Sequence, residues 1–107
     1  MITTERESTV YARWPLDLTE LDGVESSETI DKIEVAATDE DTPDQRPGQW
    51  TAVDDFTDAQ IRVLIGPDQG ERPATLTHDG PGGYQLWLAI TTPDEHIVER
   101  TTVWEVT

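Results

Sequence analysis

The sequence predicts an all-β chain, folded as a single antiparallel β-sandwich of about seven short strands. Three observations lead there. Apolar side chains recur at every second position over several stretches, the period of a half-buried strand. Thr, Val and Ile are frequent within those stretches, while Pro and Gly collect between them. No segment carries a convincing apolar helical face. A chain of 107 residues is enough for one small domain with one core. Many short strands joined by polar turns are the pattern of a sandwich.

The elements follow in chain order. Residues 1–7 are charged and Thr-rich, have no apolar core of a secretory signal, and are predicted to form a mobile arm. The domain then covers residues 8–107. A first strand is expected across "STVYARW". In "TIDKIEVAAT", Ile33, Val35 and Ala37 share one face, with Lys32, Glu34 and Ala36 on the other. A short strand is expected in "QWTAV". A helix beginning at Asp54 or Asp55 is conceivable. The β-branched tail and the Gly66-Pro67 stop favour a strand from Gln60, with Ile61, Val63 and Ile65 on one face and Arg62 and Leu64 on the other. "ATLT" is a weak strand. In "YQLWLAIT", Tyr84, Leu86, Leu88 and Ile90 form one face and Gln85, Trp87, Ala89 and Thr91 the second. In the last strand Thr102, Trp104 and Val106 alternate with Thr101, Val103 and Glu105. Periodicity does not say whether Trp104 or Val103 points inward.

Charge is the dominant compositional fact. Asp and Glu number 23 against seven Lys and Arg, a formal net charge of −16. A folded chain of this mass exposes on the order of 6000 Å², so carboxylates stand about 16 Å apart. Screening over about 8 Å at ~0.15 M salt leaves that repulsion tolerable, and at ~1 M salt it nearly vanishes. The single lysine, Lys32, and the 16 threonines resemble proteins of salt-loving archaea and their viruses. A GC-rich genome also favours Arg over Lys. Tm is therefore expected to rise as KCl goes from ~0.1 M to ~2 M. A flat melting curve over that range would remove the halophilic expectation. The cations are scattered at positions 6, 13, 32, 46, 62, 72 and 100, which argues against nucleic-acid binding through counter-ion release. No apolar run approaches the roughly 20 residues of a membrane-spanning helix. There is no cysteine, so disulfides, thiolate zinc sites and thiol catalysis are excluded.

The stretch "HDGPGGYQLW" is the clearest local signal. Its glycines supply backbone freedom, Pro81 stiffens the turn, and Tyr84 opens a strand. In immunoglobulin-like sandwiches a tyrosine at this point enters the penultimate strand, and its hydroxyl bonds back to upstream backbone. Gly83 and Tyr84 are accordingly expected to form such a corner. "TTPDEH" then turns the chain into the last strand, making a closing pair equivalent to strands F and G. The Cys…Trp…Cys marker of antibody domains is absent.

Over residues 49–106 the chain resembles a family of small proteins encoded in the structural modules of tailed viruses. The resemblance is carried by residues 50–53, by "RVLIGP" at 62–67, by "GGYQLWLAITTPDE" at 82–95 and by Val103 in the closing strand. Residues 1–48 carry no recognised motif. Genes of that family lie near those for capsid and neck proteins. The resemblance implies a non-enzymatic virion protein with an Ig-like fold. It would dock in symmetric copies on the capsid surface or at the head–tail neck, against capsid, portal or neck proteins, with no cofactor, nucleic acid or membrane. The alternative is a cell-surface adhesion or carbohydrate-binding module.

No constellation of residues points to chemistry. The acid clusters Asp39, Glu40, Asp41, Asp44 and Asp54, Asp55, Asp58 lack the glycine and closing bidentate Glu of a calcium loop, and read as solvated loops. His78 and His96 flank one strand and are expected at its opposite ends, too far apart for one metal. "GPGG" has neither the lysine nor the helix of a phosphate loop. No nucleophile, base and oxyanion-binding loop stand in a recognisable spacing. Four tryptophans remain. Trp14 and Trp50 lie at strand ends, and Trp87 is opposite in parity to Leu86 and Leu88, so it is expected to face outward. Trp50, Trp87 and Trp14 are the candidate protein-contact residues; filling the core is the competing role.

Overall fold

The computed structural model describes residues 1–15, 30–42, 45–57, 60–67, 75–93 and 95–107, with the side chain of Trp14 left aside. Among these residues there is no helix, and nine strands form two sheets. The strands are β1 (Ile2–Thr4), β2 (Val10–Pro15), β3 (Lys32–Asp39), β4 (Thr51–Ala52), β5 (Asp55–Phe56), β6 (Gln60–Gly66), β7 (Thr75–Thr77), β8 (Gly82–Thr91) and β9 (His96–Val106). One sheet runs β1-β9-β8-β3-β4 and curls into a half-barrel. The other runs β2-β6-β5, with β7 also paired to β6.

Three details depart from the expected sandwich. Nine strands replace about seven, the surplus being pieces of two or three residues. The pairing is mixed, because β1 joins β9 in parallel and β7 joins β6 in parallel. Residues 1–7, expected as a mobile arm, contain a paired strand. Ile2 to Thr4 align with Trp104 to Val106, and the Thr107 amide donates to the Thr4 carbonyl at 2.9 Å. Trp104 adds a tether, its indole N–H donating to Thr4 Oγ1 at 3.0 Å. An indole that fills the core must satisfy its N–H, and the first strand supplies the acceptor.

The core lies between the two sheets. One sheet contributes Ile33, Val35, Leu86, Leu88, Ile90, Trp104 and Val106, and the other Ala12, Ile61, Val63, Ile65 and Leu76. These are the positions that period-two alternation put on the inner faces of β3, β6 and β8. The chain changes sheets between Val53 and Asp54: the Val53 amide donates to Ile33 on β3, and the next amide, of Asp54, donates to Arg62 on β6. The Arg62 guanidinium then pairs with the Asp54 carboxylate, its Nε donating at 2.9 Å, and lies 4.5 Å from the centre of the Tyr11 ring. The hydrogen bond to Asp54 holds Arg62 above its ordinary pKa.

One irregularity decides the face of Trp104. The β8–β9 ladder slips between Gln85 and Trp87: Trp87 pairs with Arg100, whereas Gln85 pairs with Val103. Thr101 and Thr102 therefore both oppose Leu86, a bulge that switches the inward parity of β9. Ile97 packs against the core before the bulge, and Trp104 and Val106 are buried after it. Gln85 stabilises the bulge. Its side-chain amide donates to the carbonyls of Leu86 at 2.9 Å and Thr101 at 3.0 Å, with Thr102 at 3.3 Å. Without it, carbonyls displaced from the ladder would lose a donor in a half-buried place, a cost of about 1–3 kcal/mol.

Candidate functional site

Two places on the molecule bring side chains together in a definite geometry: the corner before β8, and the outer face of the curled sheet around Trp87.

The corner is built on Gly80 and Gly82, whose φ angles of 129° and 146° suit glycine alone. Tyr84 follows, and its hydroxyl donates to the Gly80 carbonyl at 2.7 Å while accepting from the Asp79 amide at 3.3 Å. Gly83 has another role. Its carbonyl accepts from the Glu40 amide at 3.1 Å, and a Cβ there would meet the Glu40 carboxylate. Behind the corner His78 is buried, with Nδ1 accepting from the Gly80 amide at 3.0 Å. That bond puts the ring proton of the neutral imidazole on Nε2, which has no hydrogen-bond partner. The His78 ring stands edge-on to Trp104, 5.3 Å between centroids and 80° between planes, and Tyr84 lies 5.6 Å from the same indole. Pattern reading took His78 as a turn residue, yet it is part of the core. No periodic signal separates the two roles.

Burial pushes the Tyr84 hydroxyl above its ordinary value of 10.0, and the charges of Asp79 and Asp39 add to this, against the hydrogen bond from the Asp79 backbone. A phenolate cannot donate to Gly80. The stability contributed by the neutral hydroxyl is therefore complete below about pH 10 and is lost as pH climbs through the raised folded value. Thermal melts from ~pH 9 to ~pH 11.5 should show an alkaline loss of stability that Tyr84→Phe reduces. An identical alkaline slope in the two proteins would show that the corner hydroxyl does not contribute it.

Next to the corner a polar cleft of about 320 Å³ is lined by Thr38, Asp39, Gln45, His78, Asp79 and Tyr84, among others. Among the described residues, no three His, Asp or Glu side chains stand where they could hold a metal ion. Asp44 and Asp58 of the two acid clusters lie outside the described residues. His96 is exposed at the start of β9, 3.1 Å from Thr91 Oγ1.

The second place overturns one expectation. Trp87 has the outward parity read from the sequence, yet it is only 2% exposed. Two features explain this. Its register partner on β3 is Ala36, whose small side chain leaves room for the indole to lie over the sheet. The indole N–H donates to Thr38 Oγ1 at 2.8 Å, inside the protein. Two exposed arginines then cover the ring. Arg46, from the loop after β3, and Arg100, the β9 partner of Trp87, place their guanidinium carbons 5.3 and 5.1 Å from its centre, within the range of cation–π attraction. Trp87 is thus no exposed anchor but the buried floor of an arginine-covered patch.

Trp50 is half-buried, immediately before Thr51, which pairs with Val35. It reaches the level of Ala36, beside the row that holds Trp87 and Arg100. Trp14 pairs with Ile61 through β2 in the other sheet, and its side chain lies outside the described residues. The fold brings Trp50 and Trp87 to one region and leaves Trp14 apart. Arg46, Arg100 and Thr38 were not singled out in the sequence. The Arg100–Trp87 pairing depends on where the bulge falls, and Arg46 comes from an acid-rich loop.

Comparison of the chain with known protein families, with curated proteins and with solved structures found no match. Function is therefore argued from these two places and from the resemblance over residues 49–106.

Proposed function

We propose that this chain is a non-enzymatic structural protein of a tailed virus, an Ig-like sandwich that docks on the capsid surface or at the head–tail neck. The arginine-covered patch on Trp87 is the observation that carries the docking part of this reading. Trp and Arg dominate the energetically important residues of protein interfaces, because a rigid apolar ring and a planar charged fork combine area with directed hydrogen bonds. In a chain of net charge −16 the patch gathers two of the six arginines on one face of one sheet. The virion part rests on the resemblance over residues 49–106.

Two further features support the Ig-like reading. The strand order β9-β8-β3-β4 opposite β2-β6-β5 has the form G-F-C-C′ opposite B-E-D of the variable-type sandwich. The Tyr84 bond to Gly80 stands where that fold places its tyrosine corner.

The test is co-sedimentation and light scattering of the purified chain with the capsid, portal and neck proteins encoded beside its gene. A stable complex with one of them is the expected result, and Arg46→Ala together with Arg100→Ala should weaken it. The carbohydrate-binding alternative needs an indole face open to a sugar ring. The buried face of Trp87 disfavours it, and a glycan panel run alongside is expected to show no binding. Binding to glycans without binding to any virion protein would overturn the proposal.

A further inference from the structure

We propose that Arg46 and Arg100 together form an oxyanion site, and that its ligand is a carboxylate presented by an acidic segment of a partner protein. The inference rests on reading the chain as a docking module, but not on which particle it joins.

The geometry makes three points. First, the two guanidinium carbons lie within roughly 10 Å of each other, the most that centroid distances of 5.3 and 5.1 Å allow. Two like charges held this close repel, and a shared anion relieves that repulsion. Second, both side chains are exposed while the ring beneath them is closed off. Stacking on the indole uses the π-face of a guanidinium and leaves its N–H edge open for in-plane bonds, the geometry that grips a carboxylate in a bidentate manner. Third, the floor is fixed. The Trp87 indole is pinned to Thr38 at 2.8 Å, so the arginines rest on a rigid platform and lose less freedom on binding. Arg100 also interacts elsewhere in the chain, so an arriving anion shares it.

An acidic ligand on an acidic chain looks contradictory. The two effects act over different ranges. Long-range repulsion from a charge of −16 fades within the screening length, about 3 Å at ~1 M salt, while a direct charge-assisted hydrogen bond survives. The chain would repel acidic partners at low salt and accept them at this one spot at high salt.

The experiment uses the whole ¹⁵N-labelled chain in a constant, concentrated KCl background. It is titrated with a capped tetraglutamate peptide, with the matching tetraglutamine peptide, and with sodium sulfate. Tetraglutamate is expected to shift the Trp87 indole N–H and the Arg46 and Arg100 Nε–H resonances saturably, and tetraglutamine to leave them unmoved. R46Q and R100Q should each weaken the tetraglutamate response by about 5-fold or more, and R46K should fall between, keeping the charge but losing the fork. Three results would overturn the proposal: no saturation with tetraglutamate, an equal response to tetraglutamine, or saturation by sulfate alone, which would make this a site for free anions. Because the wild-type titration stands by itself, loss of folding in a variant does not blur the outcome. A positive titration with no capsid or neck partner would keep the oxyanion site and remove the virion reading; a virion complex with no peptide response would do the reverse.

Discussion

Trp104→Ala is expected to remove about 3–5 kcal/mol of stability, read by urea unfolding of the purified chain. A domain of this size has about 5–15 kcal/mol in total, so the variant should be partly unfolded at room temperature or near it. Several losses coincide at this residue. Trp104 is fully buried, and its removal opens a cavity among the core residues of both sheets. The edge-on contact with His78 disappears, leaving that buried ring without the aromatic face it stands against. The bond to Thr4 Oγ1 is lost as well, so β1 should loosen. Hydrogen exchange can read this last effect separately, as faster exchange at Thr107, whose amide donates to Thr4. Trp104→Phe keeps most of the bulk and should cost clearly less. A loss below about 1 kcal/mol for the alanine variant would mean that this indole does not fill the core.

Trp87→Ala carries the second large effect, and here the structure and the sequence pattern expect opposite results. An exposed contact tryptophan changes stability by about 0.5 kcal/mol or less when truncated, and shows its worth in binding. The buried Trp87 should cost about 3 kcal/mol or more on truncation. The Thr38 hydroxyl loses its donor, and Arg46 and Arg100 lose the ring they cover. Calorimetric unfolding of Trp87→Ala and Trp87→Phe distinguishes the two expectations. The phenylalanine variant keeps a ring under both arginines but gives up the bond to Thr38. If the alanine variant melts with the wild type, the outer face of β8 is open and the patch does not exist as described.

The parts legible in the sequence were those set by local alternation. Ile33, Val35, Ile61, Val63, Ile65, Leu86, Leu88 and Ile90 are all buried on the faces that period two assigns them. Each strand has only two faces, and one must be apolar for a sheet to bury it. The β8–β9 closing pair was legible for a related reason: a Gly-Pro-Gly-Gly turn and a polar corner leave two long runs no simpler arrangement than antiparallel neighbours. Parity also put Trp87 on the correct side of β8. Whether that side is covered depends on Ala36 across the ladder and on a loop arginine 41 positions earlier in the chain, neither of which is local information.

What the sequence by itself determined is the all-β character, the inner faces of β3, β6 and β8, the glycine-built entry to β8 and the overwhelming negative charge. Only the tertiary structure decided that β1 is tied to β9, that a bulge beside Gln85 turns Trp104 inward, and that two arginines meet over Trp87. The physical reason is the same in each case. Alternation is written into neighbouring residues along one strand, whereas register, bulges and the covering of an outer face arise from pairs of residues that are distant in the chain and become neighbours only when the sheets close.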